Sequence, residues 1–194
     1  MKIANPFICS IFGFETKIFL MSKIEINKAT LFDLEIIQKI SINTFTETFS
    51  EVNTAENLAN YIKENFNPEK IASEINNPES TFYLALLDSE TIGYLKLNFG
   101  KAQTENYNEQ ALEIHRIYVL KEFHGKKIGQ LLLDEAVKIA KQTEAGSIWL
   151  GVWEENHRAL QFYAKNGFVE FDKHIFTLGN DVQTDLLMEL RIYN

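Results

Sequence analysis

The residues of this 194-residue chain whose types and spacing suit chemistry gather between Glu113 and Gly167. The segment LEIHRIYVLKEFHGKKIGQLLLDEA reads as a strand, a tight glycine-containing loop and a helix. A helix entered this way begins on backbone N–H groups that have no partner, so its end suits a phosphate group. In the loop His124-Gly125-Lys126-Lys127-Ile128-Gly129-Gln130, the two glycines allow close approach to the backbone. Lys126 and Lys127 add positive charge there. A solvated turn ahead of a core helix would carry the same residues. The pattern G-x-x-x-x-G-K-[ST] is absent, which removes the P-loop nucleotide reading. On the preceding strand Glu113 and His115 alternate onto one face, where a carboxylate or an imidazole can take up a proton. A surface salt bridge and a structural histidine are their ordinary alternatives.

The elements that must position these groups follow from periodicity and punctuation. Ile24 to Lys28 alternates as a strand, and Thr30 with Asp33 forms a variant capping pair for a helix whose apolar face includes Leu34, Ile37 and Phe45. A second helical region between Thr54 and Asn77 is interrupted near Asn67-Pro68. Thr81 to Leu87 and Ile92 to Phe99 form a hairpin around residues 88–91. After a polar loop, 100–110, comes the strand Leu112 to Leu120, and then a helix with Ile128, Leu132, Ala136 and Ile139 on its core face. Ser147 to Trp153 is apolar enough to be buried on both faces. Asn156 can cap a short helix that Asn166-Gly167 stops, and two strands, 168–178 and 183–192, close the chain. The expected result is a mixed α/β sheet with helices on both sides.

Composition narrows the function. The formal charge of -8 repels phosphate backbones, so no nucleic-acid partner is expected, and cations are the natural ligands. One cysteine, Cys9, excludes an internal disulfide framework and fits a cytoplasmic protein. The histidines show no ligand spacing, so no metal is expected. No apolar run reaches the ~18 residues of a membrane span. Residues 1–20 read as an N-terminal extension, because Glu15 and Lys17 break the run that a signal peptide would need. Residues 21–194 then form one domain.

With these elements in place, the chain resembles the GNAT family of acetyl-coenzyme A dependent N-acetyltransferases. The resemblance rests on Ile117-Tyr118-Val119 ending a strand, Gly129 closing the loop, and the run Asn156, Ala159, Phe162-Tyr163, Gly167-Phe168. His124 stands at the family's Gln/Arg position and Lys127 where its first loop glycine is usual. The words NTFTETF, LEIHRIYV, IWLGVWEEN, FYAKNGF and QTDLLM are similar to bacterial polyamine N-acetyltransferases of the PaiA type, whose members carry a second Glu in place of His115.

The resemblance implies a GNAT fold, with a largely antiparallel mixed sheet of about seven strands, and acetyl-coenzyme A as cosubstrate. The cosubstrate would be held by Ile117, Tyr118, Val119, the 124–130 loop, Asn156, Tyr163 and Lys165. It further implies an amine acceptor such as spermidine or spermine, whose nitrogen, with a pKa of ~10.4, must lose a proton before it attacks. Glu113 or His115, directly or through water, is the expected base. The Val119 N–H is the implied oxyanion donor and the Tyr163 phenol the implied acid. Asn156 is either a cap or a pantetheine contact. Glu47, Glu51 and Glu56 are candidate counter-charges for a cation. A peptide or protein α-amine is the alternative acceptor, and a non-catalytic coenzyme A binding regulatory module is the alternative class. Oligomeric state stays open, a homodimer included.

Overall fold

The computed structural model describes residues 23–105, 107–179 and 181–193. The expectation for residues 1–20 lies outside them. The chain runs β1 (Ile24–Lys28), α1 (Leu34–Phe49), α2 (Ala55–Asn65), α3 (Pro68–Asn76), β2 (Ser80–Leu87), β3 (Glu90–Asn98) and β4 (Leu112–Val119). It continues through α4 (Ile128–Gln142), β5 (Ser147–Trp153), α5 (His157–Lys165), β6 (Val169–Leu178) and β7 (Asp181–Arg191).

Local chemistry sets these boundaries. The Asp33 carboxylate accepts from the Thr30 N–H at 2.8 Å, and one 3-10 turn then leads into α1. The Thr54 hydroxyl caps α2, and Asn67 caps α3 with Pro68 in its first turn, where the missing N–H costs nothing. The β2–β3 hairpin is tighter than its composition suggests. Asp88 and Ser89 both take left-handed backbone (φ 49° and 72°), a two-residue turn whose twist matches the strands.

The seven strands form one sheet in the order β1-β2-β3-β4-β5-β7-β6. All neighbours are antiparallel except β4 and β5, which α4 connects as a crossover. Two cores result. On one face α4 and α5 cover Leu95, Leu97, Ile114 and Leu150. On the other α1, α2 and α3 bury Phe45, Phe66, Phe82, Leu84 and Tyr94. Among the described residues no helix is long and apolar enough to cross a membrane.

Two irregularities make room for a site. β4 and β5 are paired only at Leu112↔Ile148 and Glu113↔Trp149, so they splay apart beyond that point. The β3–β4 register also slips, Lys96 facing Arg116 while Leu97 faces Ile114, which makes His115 the extra residue of a bulge. From Arg116 onward the alternation is therefore out of step with that of Leu112 to Ile114.

Candidate active site

The splayed strands open a cleft of ≈ 910 Å³ that reaches from the start of α4 to β7. One wall is backbone. Leu120 donates to the Ile92 carbonyl at 3.0 Å, so by the alternation of an antiparallel ladder its neighbour Val119 turns its N–H and C=O away from β3, into the gap. β5 does not pair there. The Val119 carbonyl is taken by His124 Nε2 at 2.7 Å. Arg158 reaches His124 Nδ1, and a guanidinium only donates, so Nδ1 accepts and the imidazole is the neutral Nε2–H tautomer. Burial, against the pull of the Val119 contact, holds the His124 pKa below its usual value.

The α4 terminus is built as an anion end. Gln130 and Leu131 both donate to the Lys127 carbonyl, whereas the N–H groups of Lys127, Ile128 and Gly129 have no acceptor among the described residues. A Cβ at Gly125 would meet nothing within 4 Å, and one at Gly129 only the Phe162 ring at 3.9 Å. Gly125 is required by its left-handed backbone, φ 78°, whereas no neighbouring atom requires Gly129; at both positions the missing side chain leaves the N–H groups approachable. Lys127 adopts φ 63°, ψ 12°, a left-handed backbone that a Cβ disfavours.

Tyr163 sits on α5 between Phe162 and Phe168, with ring centroids 5.3 and 5.5 Å away, and lines the cleft. Burial raises its phenol pKa, so it keeps its proton at neutral pH. Glu113, 2% exposed, has both oxygens engaged: one accepts from Asn98 Nδ2 at 2.8 Å and the Thr104 N–H at 3.0 Å, the other from the Thr104 hydroxyl. It pins the 100–110 loop to the sheet. Burial raises its pKa, and these hydrogen bonds oppose the rise. His115 presents a buried Nδ1 with no hydrogen-bond partner, and burial with Arg116 and Lys96 nearby keeps the imidazole neutral.

The model of the Acetyltransferase (GNAT) family matches residues 41–168, most of the chain. The chain belongs to the GNAT acetyltransferase family. It is 38% identical over 169 residues to an uncharacterized N-acetyltransferase in the pepI 3' region of Lactobacillus delbrueckii subsp. lactis, covering 87% of this chain and 98% of that one. It is 32% identical over 149 residues to a spermidine N(1)-acetyltransferase of Thermoplasma acidophilum, covering 75% and 88%. The crystal structure of a PaiA N-acetyltransferase from Thermoplasma acidophilum, in complex with coenzyme A, superimposes with a TM-score of 0.72 at 30% identity, covering 88% of this chain and 99% of that one. The GNAT fold uses acetyl-coenzyme A, and this chain is an acetyl-coenzyme A dependent N-acetyltransferase. The unpaired N–H groups at α4, left bare by Gly125 and Gly129, fit its pyrophosphate.

Within this GNAT cleft, Ile117, Tyr118, Val119, His124, Gly125, Lys127, Ile128, Gly129, Gln130, Asn156 and Tyr163 share one lining with Glu113 and His115. Lys126 and Lys165 are not part of it: the Lys126 ammonium lies over the Phe123 ring at 4.6 Å, and Lys165 ends α5. The Gln130 amide bridges Asp134 and Asn166 at 2.9 Å each, tying α4 to α5. Asn156 Oδ1 accepts from the Ala159 N–H at 3.1 Å, which is the capping role. Of the carboxylates expected to meet a cation, Glu47 lines the cleft but accepts from the Lys121 N–H, Glu51 pairs with Lys121, and Glu56 lies outside the lining. The half of the cleft opposite α4 instead takes its acidity from Asp185 and Glu105, among Tyr61, Trp153 and Phe176. Only the alternation of Q-T-D-L-L, which puts residues 183, 185 and 187 on one face, could have drawn attention to β7.

Proposed function

We propose that the chain transfers the acetyl group of acetyl-coenzyme A to a primary amine of a polyamine such as spermidine or spermine. The observation that carries this reading is the make-up of the single cleft: open N–H groups at one end, carboxylates among aromatic rings at the other. The first end matches a pyrophosphate, the second an organic cation. The identity with the Thermoplasma acidophilum spermidine N(1)-acetyltransferase supports the same acceptor class. One cysteine and a net charge of -8 suit a cytoplasmic setting for such an enzyme.

Acetyl-coenzyme A supplies an acetyl group activated as a thioester. Lys127, Ile128 and Gly129 hold its phosphates through their N–H groups. The Val119 N–H, aimed into the gap, meets the charge that develops on the thioester oxygen. His115 Nδ1 receives the proton that the amine sheds; Glu113 has no free oxygen with which to compete. Tyr163, kept protonated by burial, delivers a proton to the departing sulfur.

Thiol release measured over polyamines, amino acids, peptides and aminoglycosides tests the acceptor, and spermidine should give the highest specificity constant. Tyr163→Phe should lower turnover with spermidine by about 10- to 100-fold while coenzyme A affinity stays within about twofold. Turnover within twofold of the parent would return Tyr163 to a packing role.

A further inference from the structure

On the face of β7 turned toward the cleft, Asp185 and Gln183 stand two residues apart, about 7 Å along the strand. Asp185 lies in register between Trp153 on β5 and His174 on β6. Its Oδ2 is 3.6 Å from the position a Cβ would take on Gly151, so this bare glycine leaves the carboxylate uncovered beside the splayed end of β5. Among the described residues Asp185 has neither a hydrogen bond nor an ion pair. Its neighbour His174 directs Nδ1 to Glu105 at 2.5 Å instead. A carboxylate left this way in a partly dehydrated cleft is costly without a closer counter-ion, and burial raises its pKa, a rise that the neighbouring His174 offsets only in part.

Gln183 gives the second, independent sign of a ligand. The residue is 7% exposed and lines the same cleft. Its Nε2 donates to Asp181 Oδ2 at 2.6 Å, and because a carboxylate only accepts, this fixes the amide orientation. Oε1 is thereby left buried with no donor. An unsatisfied buried carbonyl oxygen of this kind calls for an N–H from outside the chain. Phe176 faces Gln183 across the β6–β7 pair, and Tyr61 packs edge-on to Phe176 at 6.0 Å, so ring surface stands beside both polar groups.

We infer that Asp185 and Gln183 form a subsite for the charged amine of the acceptor that is not being acetylated, its ammonium held by the Asp185 carboxylate and an N–H by Gln183 Oε1. This inference rests on the polyamine reading and adds which residues select the second nitrogen. A carboxylate stabilises the protonated form of an amine beside it, so Asp185 would disable the attacking nitrogen and suits the one that stays cationic. The aromatic surfaces favour the same cation and cover an alkyl spacer. The acceptor class is thus an alkyl chain bearing at least two amines.

The test compares specificity constants for spermidine and for n-butylamine, which has one amine and no second anchor. In Asp185→Asn the spermidine-to-butylamine ratio should fall at least about tenfold, chiefly through the Michaelis constant for spermidine. Gln183→Leu should move the ratio the same way by a few-fold. Coenzyme A calorimetry on each variant reports folding. An unchanged ratio in Asp185→Asn, with the parent still preferring spermidine, overturns the subsite alone. Equal losses on both amines, carried by turnover, overturn it in favour of a proton-accepting Asp185. A parent enzyme with no preference for spermidine removes the polyamine reading and the subsite with it.

Discussion

His124 Nε2 lies 2.7 Å from the Val119 carbonyl oxygen, which joins the loop that starts α4 to the last residue of β4. The peptide unit that His124 fixes on its carbonyl side follows the Val119 N–H, which we propose as the oxyanion donor. In that proposal His124 is a positioning residue that holds the backbone carrying the donor. His124→Phe should lower turnover about tenfold, and His124→Gln, which restores a donor to Val119, should recover most of the loss. Steady-state kinetics beside coenzyme A calorimetry decide it; an equal loss in both variants would sink the positioning role. The lowered pKa adds a pH signature. The stability that His124 contributes is complete above its ordinary value of 6.5 and is lost as pH falls through the lower folded value, where protonation expels Arg158.

Lys127 should be replaceable by glycine with a gain. At φ 63° its Cβ is strained, and Gly relieves that strain at some cost in unfolded-chain entropy. Lys127→Gly should stabilise by about 0.5–1 kcal/mol, while Lys127→Ala, which keeps the Cβ, should not. Thermal melts of the two variants provide the comparison. A lower Tm for the glycine variant than for the alanine variant would contradict the strain.

Glu113 and His115 should separate by readout. Glu113→Ala strands the Asn98 and Thr104 donors and should cost about 2–4 kcal/mol of stability, measured by denaturant unfolding. His115→Phe should leave stability nearly intact and lower turnover, removing the acid limb of the pH–rate profile. That limb belongs below pH 6.5, because burial and the cations beside His115 depress its pKa. A destabilised, fully active His115→Phe would reverse the two roles.

Lys96 makes stability depend on pH in the alkaline range. Its ammonium is buried against Glu74 at 2.8 Å, and Arg116 binds the same carboxylate at 3.0 Å. Burial first, and Arg116 second, push its pKa down to about 8 from 10.5. Between these values the unfolded chain binds a proton that the folded chain does not, so stability rises as pH rises from about 8 toward 10.5. Relative to Lys96→Met, the parent should gain about 1–3 kcal/mol across this window. Unfolding curves at pH 7.5 and about 9.5 suffice, and a difference that does not move with pH would refute it. The comparison belongs below pH 10, where Tyr94, pushed up to about 12 by burial, begins to act with the opposite sign.

What the amino-acid order determined by itself was local. The caps at Thr30, Thr54, Asn67 and Asn156, the breaks at Pro68 and Gly167, and the periodicity of α4 each depend on residues within a few positions of one another. Every helix and strand therefore falls close to its expected place. The same holds for the loop that opens α4 and the run from Asn156 to Phe168, which carried the family resemblance. Tertiary structure decided what depends on register between distant strands. A one-residue slip at His115 puts Arg116 to Val119 out of step with Leu112 to Ile114, because side chains alternate with period two and an extra residue reverses the faces beyond it. Glu113 reads as a free carboxylate until Asn98 and Thr104 are folded onto it. Asp185 and Gln183, some thirty residues from Gly151 and Trp153 in the chain, reach the cleft only because β7 pairs with β5 and because β5 parts from β4. No local pattern encodes that parting: it is set by how two packed faces of one sheet accommodate α4 and α5 on one side and α1 to α3 on the other.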